Sequence, residues 1–397
     1  MEAVTSASSS LPTYAPALLG AAAALALALA LWRAYARRRD FFDLRDRVVF
    51  ITGGSSGIGL ACAASCLAAG AHVALMARKP ALLEAARREL QAGLDAAAAA
   101  AAAAGRAPRA ARRITLHTGD VADSDATRRC VDEAAAAHRG RIDAVVASAG
   151  ISCPRLFEET PAAEFAAVLA TNVTGVRNAV VHALPHMPRA EGAGGGGGGG
   201  TRGGGRVVVV SSQAGQVGLF GYTAYSASKF ALNGLAQALN MELHSRGVRV
   251  ALCYPPDTDT PLLALENETK PAITKALSET TATVPASVVG AAICAGLQQY
   301  EPHIYFGFDG WMLTTLCAGF SVPEGWAQAA LEIASMGVWR VAALVVAGGW
   351  YATIRRMQAA AGRPAGAAGA GGGGGGGVAA AAAVLLPGGG EEKAKAS

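Results

Sequence analysis

Short apolar runs alternate with longer segments of helical pattern along most of the chain. Strands that helices cover on both faces are apolar throughout, whereas half-exposed strands alternate apolar and polar residues. Six runs have the continuous pattern, and they are RVVFITGG, HVALMAR, ITLHTGDV, RIDAVVASAG, RVVVVSS and VRVALCYPP. The pattern predicts an α/β fold, with a single Rossmann-type, doubly wound parallel sheet and flanking helices.

A longer apolar run lies near the N-terminus. Pro16–Trp32 contains seventeen apolar or small residues, near the lower limit for crossing a bilayer core of about 30 Å. Arg33 and Arg37–Arg39 follow it, and positive charge on the carboxyl side retains that side in the cytosol. We therefore predict a luminal tail over 1–15 and a transmembrane anchor over 16–32, with a cleaved signal peptide or a non-spanning tail as the alternatives.

Two more apolar runs, Trp311–Phe320 and Met336–Tyr351, lie toward the C-terminus. Arg340 in the second run would cost about 2.5 to 3.5 kcal/mol at the centre of a bilayer. We therefore predict a membrane-seated hairpin or interfacial segment over 311–356 in preference to two independent spans. Core helices beside the active site are the alternative.

Three tracts consist largely of alanine or glycine, at 92–112, 191–205 and 357–397. Such tracts have too little side-chain surface to build a packed core. The first two are interpreted as insertions, the alanine tract being an expanded loop or a helix extension, and the last as a disordered tail. One catalytic domain over 45–310 remains from the 397 residues.

The charge pattern argues against a nucleic-acid partner. The formal net charge is only +5, and the densest basic cluster follows the predicted anchor. The sequence contains no stacking module and no zinc-ligand spacing. The basic cluster therefore indicates a membrane rather than a nucleic acid.

The cysteines and histidines suggest no metal site. The seven cysteines are scattered without a CxxC pair, which is typical of free thiols in a reducing compartment. Cys62 and Cys66 share a helix face and are interpreted as core residues. His182 and His186 have metal-like spacing but no third ligand, so we interpret them as structural or exposed.

A glycine-rich turn follows the first strand and precedes a helix. Its spacing is Thr52-Gly53-x-x-x-Gly57-x-Gly59, and bare glycines let backbone N–H groups and a helix N-terminus approach a pyrophosphate. The predicted cofactor contacts in this turn are Gly53, Ser55, Ser56, Gly57, Ile58 and Gly59.

Arg78 and Lys79 end the second strand. An NAD site normally places an acidic residue near this point to bind the ribose hydroxyls, whereas an arginine accommodates a 2′-phosphate. The sequence therefore predicts NADPH as the cofactor, and a solvated arginine at a helix start is the alternative.

Tyr225 and Lys229 lie four residues apart on a predicted helix, so their side chains share one face. A lysine ammonium beside a phenol lowers a pKa of about 10 by roughly one to three units, which makes Tyr225 a candidate general acid or base. Ser212 ends the preceding strand, where it could hydrogen-bond the same reacting oxygen. An isolated pair of this kind would most simply be an ordinary helix with an exposed lysine.

The glycine turn, the Ser-Ser strand end and the Tyr-x-x-x-Lys helix together resemble the short-chain dehydrogenase/reductase family. The resemblance implies that Ser212, thirteen residues before Tyr225, is the catalytic serine, although Ser211 is adjacent. It also implies that Tyr225 and Lys229 contact the cofactor, Lys229 at the ribose. A fourth catalytic member, Asn172, is expected to bend its helix around a water linking Lys229 to solvent. Association into a homo-oligomer is expected by the same analogy.

The resemblance also bears on residues in or after the third, fourth and sixth predicted strands. Asp120, after the third strand, is expected to reach the adenine edge. The usual Pro-Gly is Pro255-Pro256 here, and Pro255 and Thr258 are predicted cofactor contacts, while Asp257 and Asp259 are interpreted as solvated or capping residues. Ala147 replaces the family's usual asparagine, so either Ser148 or water must substitute for one hydrogen bond, or the site is loosened.

Four further segments indicate one branch of this family. They are SSQAGQ, PPDTDTP, ENETKPAITKALSETT and FDGWMLTTLCAG. They are similar to family members that reduce the keto group of long-chain 3-keto sphingoid bases with NADPH, at the cytosolic face of the endoplasmic reticulum membrane. A reductase of steroids, retinoids or other lipophilic carbonyls would use the same active site. Two further hypotheses are a non-catalytic scaffold, supported by Ala147, and a luminal enzyme, which a glycan at Asn267 would reveal.

Overall fold

The computed structural model describes residues 41–105, 111–189, 204–278, 283–318 and 325–361. The predicted luminal tail and anchor lie outside the described residues, as do most of the glycine insertion and the tail after 361. The predictions for those segments, and the membrane topology derived from them, stay predictions.

Seven parallel strands within the described residues form the central sheet, in the order β3-β2-β1-β4-β5-β6-β9. They are β1 Val48–Thr52, β2 His72–Ala77, β3 Ile114–Thr118, β4 Ala144–Ala147, β5 Arg206–Val210, β6 Arg249–Cys253 and β9 His303–Ile304. This confirms the doubly wound sheet predicted from the apolar runs. The strand order reverses between β1 and β4, so the crevice at their carboxyl ends is the expected ligand site.

The seventh strand was not predicted. His303–Ile304 is only two residues long and contains no apolar run, so it carries no strand signal of its own. It pairs with Leu252 and Cys253 of β6. Two other short strands, β7 Thr258–Asp259 and β8 Val284–Pro285, pair with each other outside the main sheet.

The described residues form eleven α-helices, six of which pack against the two faces of the sheet. They are α1 Gly57–Ala68, α2 Pro80–Ala103, α3 Ser124–Ala137, α4 Ala162–Leu169, α5 Gly175–Ala183, α6 Thr223–Glu242, α7 Pro261–Thr269, α8 Ala272–Ser278, α9 Ala286–Gln299, α10 Gly307–Leu316 and α11 Trp326–Ala361. Successive strand residues point to opposite faces. Val49 and Ile51 therefore pack with α1, α2 and α9, whereas Phe50 packs on the other face with α3, α5 and α6.

The first part of the alanine tract is a helix extension, because α2 continues into it as far as Ala103. Alanine has the highest helix propensity, so the tract needs no tertiary contact to prefer this state. The buried residues of α2 are Leu83, Ala86 and Leu90, all in its first half. The tract therefore lengthens the helix without enlarging the core.

The cysteines and histidines take the structural roles predicted for them. Cys62 and Cys66 are free thiols on the buried face of α1, with sulfurs 3.9 Å apart. His182 Nε2 bonds Ser124 Oγ at 3.0 Å, whereas His186 Nε2 bonds Asp132 Oδ1 at 2.9 Å. The two histidines thus have different partners.

The first C-terminal apolar run begins in α10, which ends at Leu316, and the second lies in α11. The second run belongs to a far longer helix than predicted, and Gln328–Ala360 is long and apolar enough to cross a membrane by length and composition, with mean hydropathy 1.6 and none of its most apolar window buried. The alternative of a core helix is therefore wrong for α11. Trp339 joins it to α10 through edge-to-face contacts with Phe308 and Trp311, both at 5.2 Å between ring centroids.

Candidate active site

The turn between β1 and α1 forms a cradle of backbone atoms. Gly53 has a φ of +69°, which favours glycine, and a Cβ on Gly59 would collide with the carbonyl oxygen of Gly53. Ser56 caps α1 without a side-chain hydrogen bond, so it leaves the N–H groups of the first turn open to a ligand. The six residues predicted from the sequence all lie in this turn, and the cradle fits a pyrophosphate.

Arg78 and Asp120 lie at the carboxyl ends of the neighbouring strands β2 and β3. Arg78 Nη1 lies 3.9 Å from Asp120 Oδ2, and the two side chains are 62% and 44% exposed. Asp120 Oδ1 also accepts a hydrogen bond from the backbone N–H of Ala122 at 2.9 Å. The structure therefore places these two predicted cofactor contacts side by side and open to a ligand.

The two serines after β5 point in different directions. Ser211 is buried and donates a hydrogen bond from Oγ to the carbonyl oxygen of Lys229 at 3.1 Å, so it is bound to the back of α6. Ser212 Oγ accepts from the backbone N–H of Ala214 at 3.1 Å and hydrogen-bonds Tyr225. Of the two serines, the geometry favours Ser212 for contact with a substrate oxygen.

Tyr225 lines a pocket together with Ser212, Pro255 and Thr258. Its ring is half-buried, but its phenol oxygen is surrounded by protein. Burial raises the pKa of Tyr225 above its ordinary value, the charge of Glu266 raises it further, and the hydrogen bond with Ser212 opposes this. The phenol is therefore protonated at neutral pH, which is the form that donates a proton.

The predicted lowering of the pKa of Tyr225 by Lys229 is wrong in this structure. Lys229 Nζ lies 5.5 Å from the centroid of the Tyr225 ring, over its face, and donates a hydrogen bond to the carbonyl oxygen of Val210 at 2.9 Å. Burial lowers the pKa of Lys229 itself to about 8, against the opposing charge of Glu266. For Tyr225 and for Lys229 alike, burial disfavours the charged form and sets the direction of the pKa shift.

Asn172 occupies the π-helical turn Ala170–Thr174 that separates α4 from α5. Its side chain accepts a hydrogen bond from the N–H of Ile151 and donates one to the carbonyl oxygen of Ile151 and one to Ser228 Oγ, all at 2.9 Å. A Cβ on Gly150 would lie 3.3 Å from Asn172 Oδ1 and 3.7 Å from Lys229 Nζ. The widened turn thus holds Asn172 close to Lys229.

Thr52 supplies the support that Ala147 lacks. Ala147 is 1% exposed and packs in the core, and Thr52 Oγ1 lies 3.2 Å from the backbone nitrogens of both Ser148 and Ala149. The link between β1 and β4 is therefore made by a hydroxyl on β1. The Ser148 side chain and water were the predicted substitutes, and Thr52 was not among them.

Pro255 and Thr258, the remaining predicted cofactor contacts, line the pocket. The carbonyl oxygen of Pro255 accepts a hydrogen bond from the N–H of Gln213 at 3.1 Å, and Thr258 donates from Oγ1 to the carbonyl oxygen of Pro256 at 2.8 Å. Both side chains belong to the wall of the pocket that contains Tyr225.

A buried polar cluster beside Tyr225 was not predicted from the sequence. Tyr222 donates a hydrogen bond from its hydroxyl to Glu266 Oε2 at 2.7 Å, and Lys270 Nζ lies 3.4 Å from Asp257 Oδ2. Asp257, interpreted as a solvated or capping residue, has a side chain 36% exposed and also pairs with Lys270, whose side chain is only 2% exposed. The four-residue spacing of Glu266 and Lys270 at the end of α7 was the available signal, but it does not reveal burial.

Comparison with known proteins gives a family and named relatives. The family model for short chain dehydrogenases matches residues 47–271. A 3-dehydrosphinganine reductase of Arabidopsis thaliana is 35% identical over 311 residues, which covers 78% of this chain and 85% of that protein. A 3-ketodihydrosphingosine reductase of Bos taurus is 35% identical over 310 residues, which covers 77% and 85%.

Solved structures with the same fold include proteins bound to either nicotinamide cofactor. A short chain dehydrogenase of Mycobacterium paratuberculosis bound to NAD is 27% identical, with a TM-score of 0.53, and covers 66% of this chain and 97% of that one. A short chain dehydrogenase of Burkholderia cenocepacia in complex with NADP is 29% identical, with a TM-score of 0.50, and covers 65% and 92%. These structures support a nicotinamide cofactor and leave the choice between the two open.

Proposed function

Because this chain belongs to the short-chain dehydrogenase/reductase family, we propose that it reduces the keto group of 3-ketosphinganine to give sphinganine, with NADPH as the reductant. The observation that carries the proposal is similarity to 3-dehydrosphinganine reductases at 35% identity over more than three quarters of the chain. The aligned region includes the pocket in which Ser212 and Tyr225 meet.

The chain's own residues account for the proton that the reaction needs. A nicotinamide held in the crevice would supply the hydride for the ketone carbon, and the ketone oxygen requires a proton as well. Tyr225 donates it from a phenol that burial keeps protonated, while the Ser212 hydroxyl holds the oxygen in place. Positioned proton donation of this kind contributes about 10² to 10⁴ in rate.

Lys229 and Asn172 support this step from the other side of Tyr225. The Lys229 ammonium lies over the ring of Tyr225 and has a pKa of about 8, so it can exchange protons near neutral pH. Asn172 fixes the backbone at Ile151 and the Ser228 hydroxyl, which in turn donates to the carbonyl oxygen of Tyr225 at 2.6 Å. We assign to Lys229 the return of a proton to Tyr225 after each turnover. We assign to Asn172 the positioning of the backbone and the Ser228 hydroxyl around these two residues.

The preference for NADPH rests on Arg78. Its guanidinium is 62% exposed at the carboxyl end of β2, where a 2′-phosphate on the adenine ribose would meet it. Asp120 lies 3.9 Å from the same group, which is too long for a strong hydrogen bond and leaves the donors of Arg78 available. The backbone cradle that begins at Gly53 would hold the pyrophosphate.

Replacement of Arg78 by Ala is expected to raise the KM for NADPH about 10- to 100-fold, because a charge-assisted contact to the phosphate is lost. The KM for NADH is expected to change little, and steady-state kinetics with both cofactors measures the two effects. Arg87→Ala is the matched control, since Arg87 is exposed on α2 and pairs with Glu84. Equal losses with both cofactors would remove Arg78 from this role.

The walls of the pocket suit a lipid substrate. Ile58, Leu219, Leu262 and Leu263 line it beside Tyr225. The long apolar helix α11 adds a surface that could associate with a membrane, from which such a substrate would arrive. The same pocket also contains polar groups, among them Ser212, Tyr225 and Glu266, so it offers both kinds of surface to an amphiphilic ligand.

The assay that tests the function is NADPH oxidation by the detergent-solubilised protein. The carbonyl substrates are 3-ketosphinganine, a steroid ketone and retinal, with NADH as a parallel cofactor. We expect turnover with 3-ketosphinganine and NADPH. Turnover confined to another carbonyl would retain the mechanism and reject the sphingoid substrate, and no turnover with any of them would favour a non-catalytic scaffold.

A further inference from the structure

Glu266 is a buried carboxylate in the wall of the substrate pocket. It lies on α7, is 9% exposed, and lines the same pocket as Ser212 and Tyr225. Its charge raises the pKa values of both Tyr225 and Lys229, so it lies close to the reacting end of the pocket. The proton-transfer scheme gives Glu266 no role.

The surroundings of Glu266 do not neutralise it. Among the described residues no cation forms an ion pair with its carboxylate, and its hydrogen-bond partners Tyr222 and Ser152 are neutral hydroxyls. Lys270 is close enough to lower the pKa of Glu266, but its ammonium is paired with Asp257. Lys229 lies over the face of the Tyr225 ring and donates to Val210.

Burial of a carboxylate without a counter-charge is costly. It raises the pKa of Glu266, although the Tyr222 hydrogen bond and the charge of Lys270 oppose the shift. A cationic ligand group would relieve that cost. The pocket therefore has a place for a positive charge beside the phenol of Tyr225.

We propose that Glu266 binds the ammonium group of an amino ketone substrate and thereby selects substrates that carry an amine next to the ketone. The inference rests on the proposed function, because 3-ketosphinganine carries its amino group on the carbon adjacent to its carbonyl. With the carbonyl oxygen at Ser212 and Tyr225, the nitrogen lies one carbon from the reacting centre, on the side of the pocket where Glu266 can meet it. Neither a steroid ketone nor retinal has such a group.

The variant that tests this is Glu266→Gln. The amide has the same shape and can still accept the hydrogen bond from Tyr222, so only the charge is removed. Two substrates are compared, 3-ketosphinganine and the same long-chain ketone with hydrogen in place of the amino group. For the amino ketone we expect kcat/KM to fall about 10- to 100-fold, mainly through KM, since a charge-assisted contact is lost.

For the ketone without the amine, Glu266→Gln should keep the KM of the parent protein, because the effect of the lost charge on Tyr225 and Lys229 falls on kcat. That result also shows that the variant is folded. Glu268→Gln is the matched control, because Glu268 is exposed two residues further along α7, and it should change neither reaction.

Two outcomes for the variant would overturn the inference. One is unchanged kcat/KM for 3-ketosphinganine, and the other is an equal loss with both ketones, which would indicate a structural role for Glu266. Failure of the parent protein to reduce 3-ketosphinganine, with turnover of another carbonyl, would instead overturn the proposed function, and this inference with it.

Discussion

Replacement of Tyr225 by Phe is expected to lower turnover of 3-ketosphinganine about 10²- to 10⁴-fold while leaving the affinity for NADPH unchanged. The substitution removes the phenol proton and one hydrogen bond to Ser212 but keeps the ring at the pocket wall. Single-turnover kinetics with NADPH fluorescence separates cofactor binding from the chemical step.

Tyr254→Phe is a suitable control for this result. Tyr254 is also buried, and its hydroxyl donates to Asn233 Oδ1 at 3.1 Å; neither residue lines the pocket. Its loss should cost about 1 kcal/mol of stability, as a typical buried hydrogen bond does, and leave turnover intact. Parent-like turnover by Tyr225→Phe would eliminate Tyr225 as the proton donor.

The sheet and the cofactor cradle could be predicted from the sequence, because both depend on local sequence patterns. Continuous apolar runs mark six of the seven strands, and the glycines of the first turn mark a place where a side chain would collide with backbone. The spacing of Tyr225 and Lys229 fixed their common helix face. The seventh strand carried no comparable signal, because it has only two residues and is defined by its pairing with β6.

The electrostatics of the site could not be obtained from spacing. Lys229 was expected to lower the pKa of Tyr225, but burial of the phenol and the charge of Glu266 raise that pKa. Glu266 was not singled out, since a short helix with mixed polarity shows no clear buried face. Thr52 likewise replaces a missing asparagine through contacts between strands that are far apart in sequence.

Replacement of Lys229 by Met is expected to separate stability from activity. The methionine keeps an apolar stem but carries no charge, so turnover should fall about 10²-fold or more, because the relay that reprotonates Tyr225 is broken. Stability should change little at pH 7, since relief of the buried charge offsets the lost hydrogen bond to Val210. Denaturant unfolding and turnover, both measured at pH 7, test the two effects.

The pH dependence of stability tests whether the Lys229 ammonium is buried. A lysine with an ordinary pKa of 10.5 and a folded pKa of about 8 binds fewer protons in the folded protein between these values, so its burial penalty is complete below pH 8 and disappears as the pH rises toward 10.5. The free energy of unfolding of the parent, minus that of Lys229→Met, should therefore rise by about 3 kcal/mol across this window. Lys275→Met, at an exposed position on α8, should show no such rise and retain activity. A flat difference for Lys229→Met would mean that the ammonium is not held in a buried site, and the assignment of Lys229 to the relay beneath Tyr225 would lose its electrostatic basis.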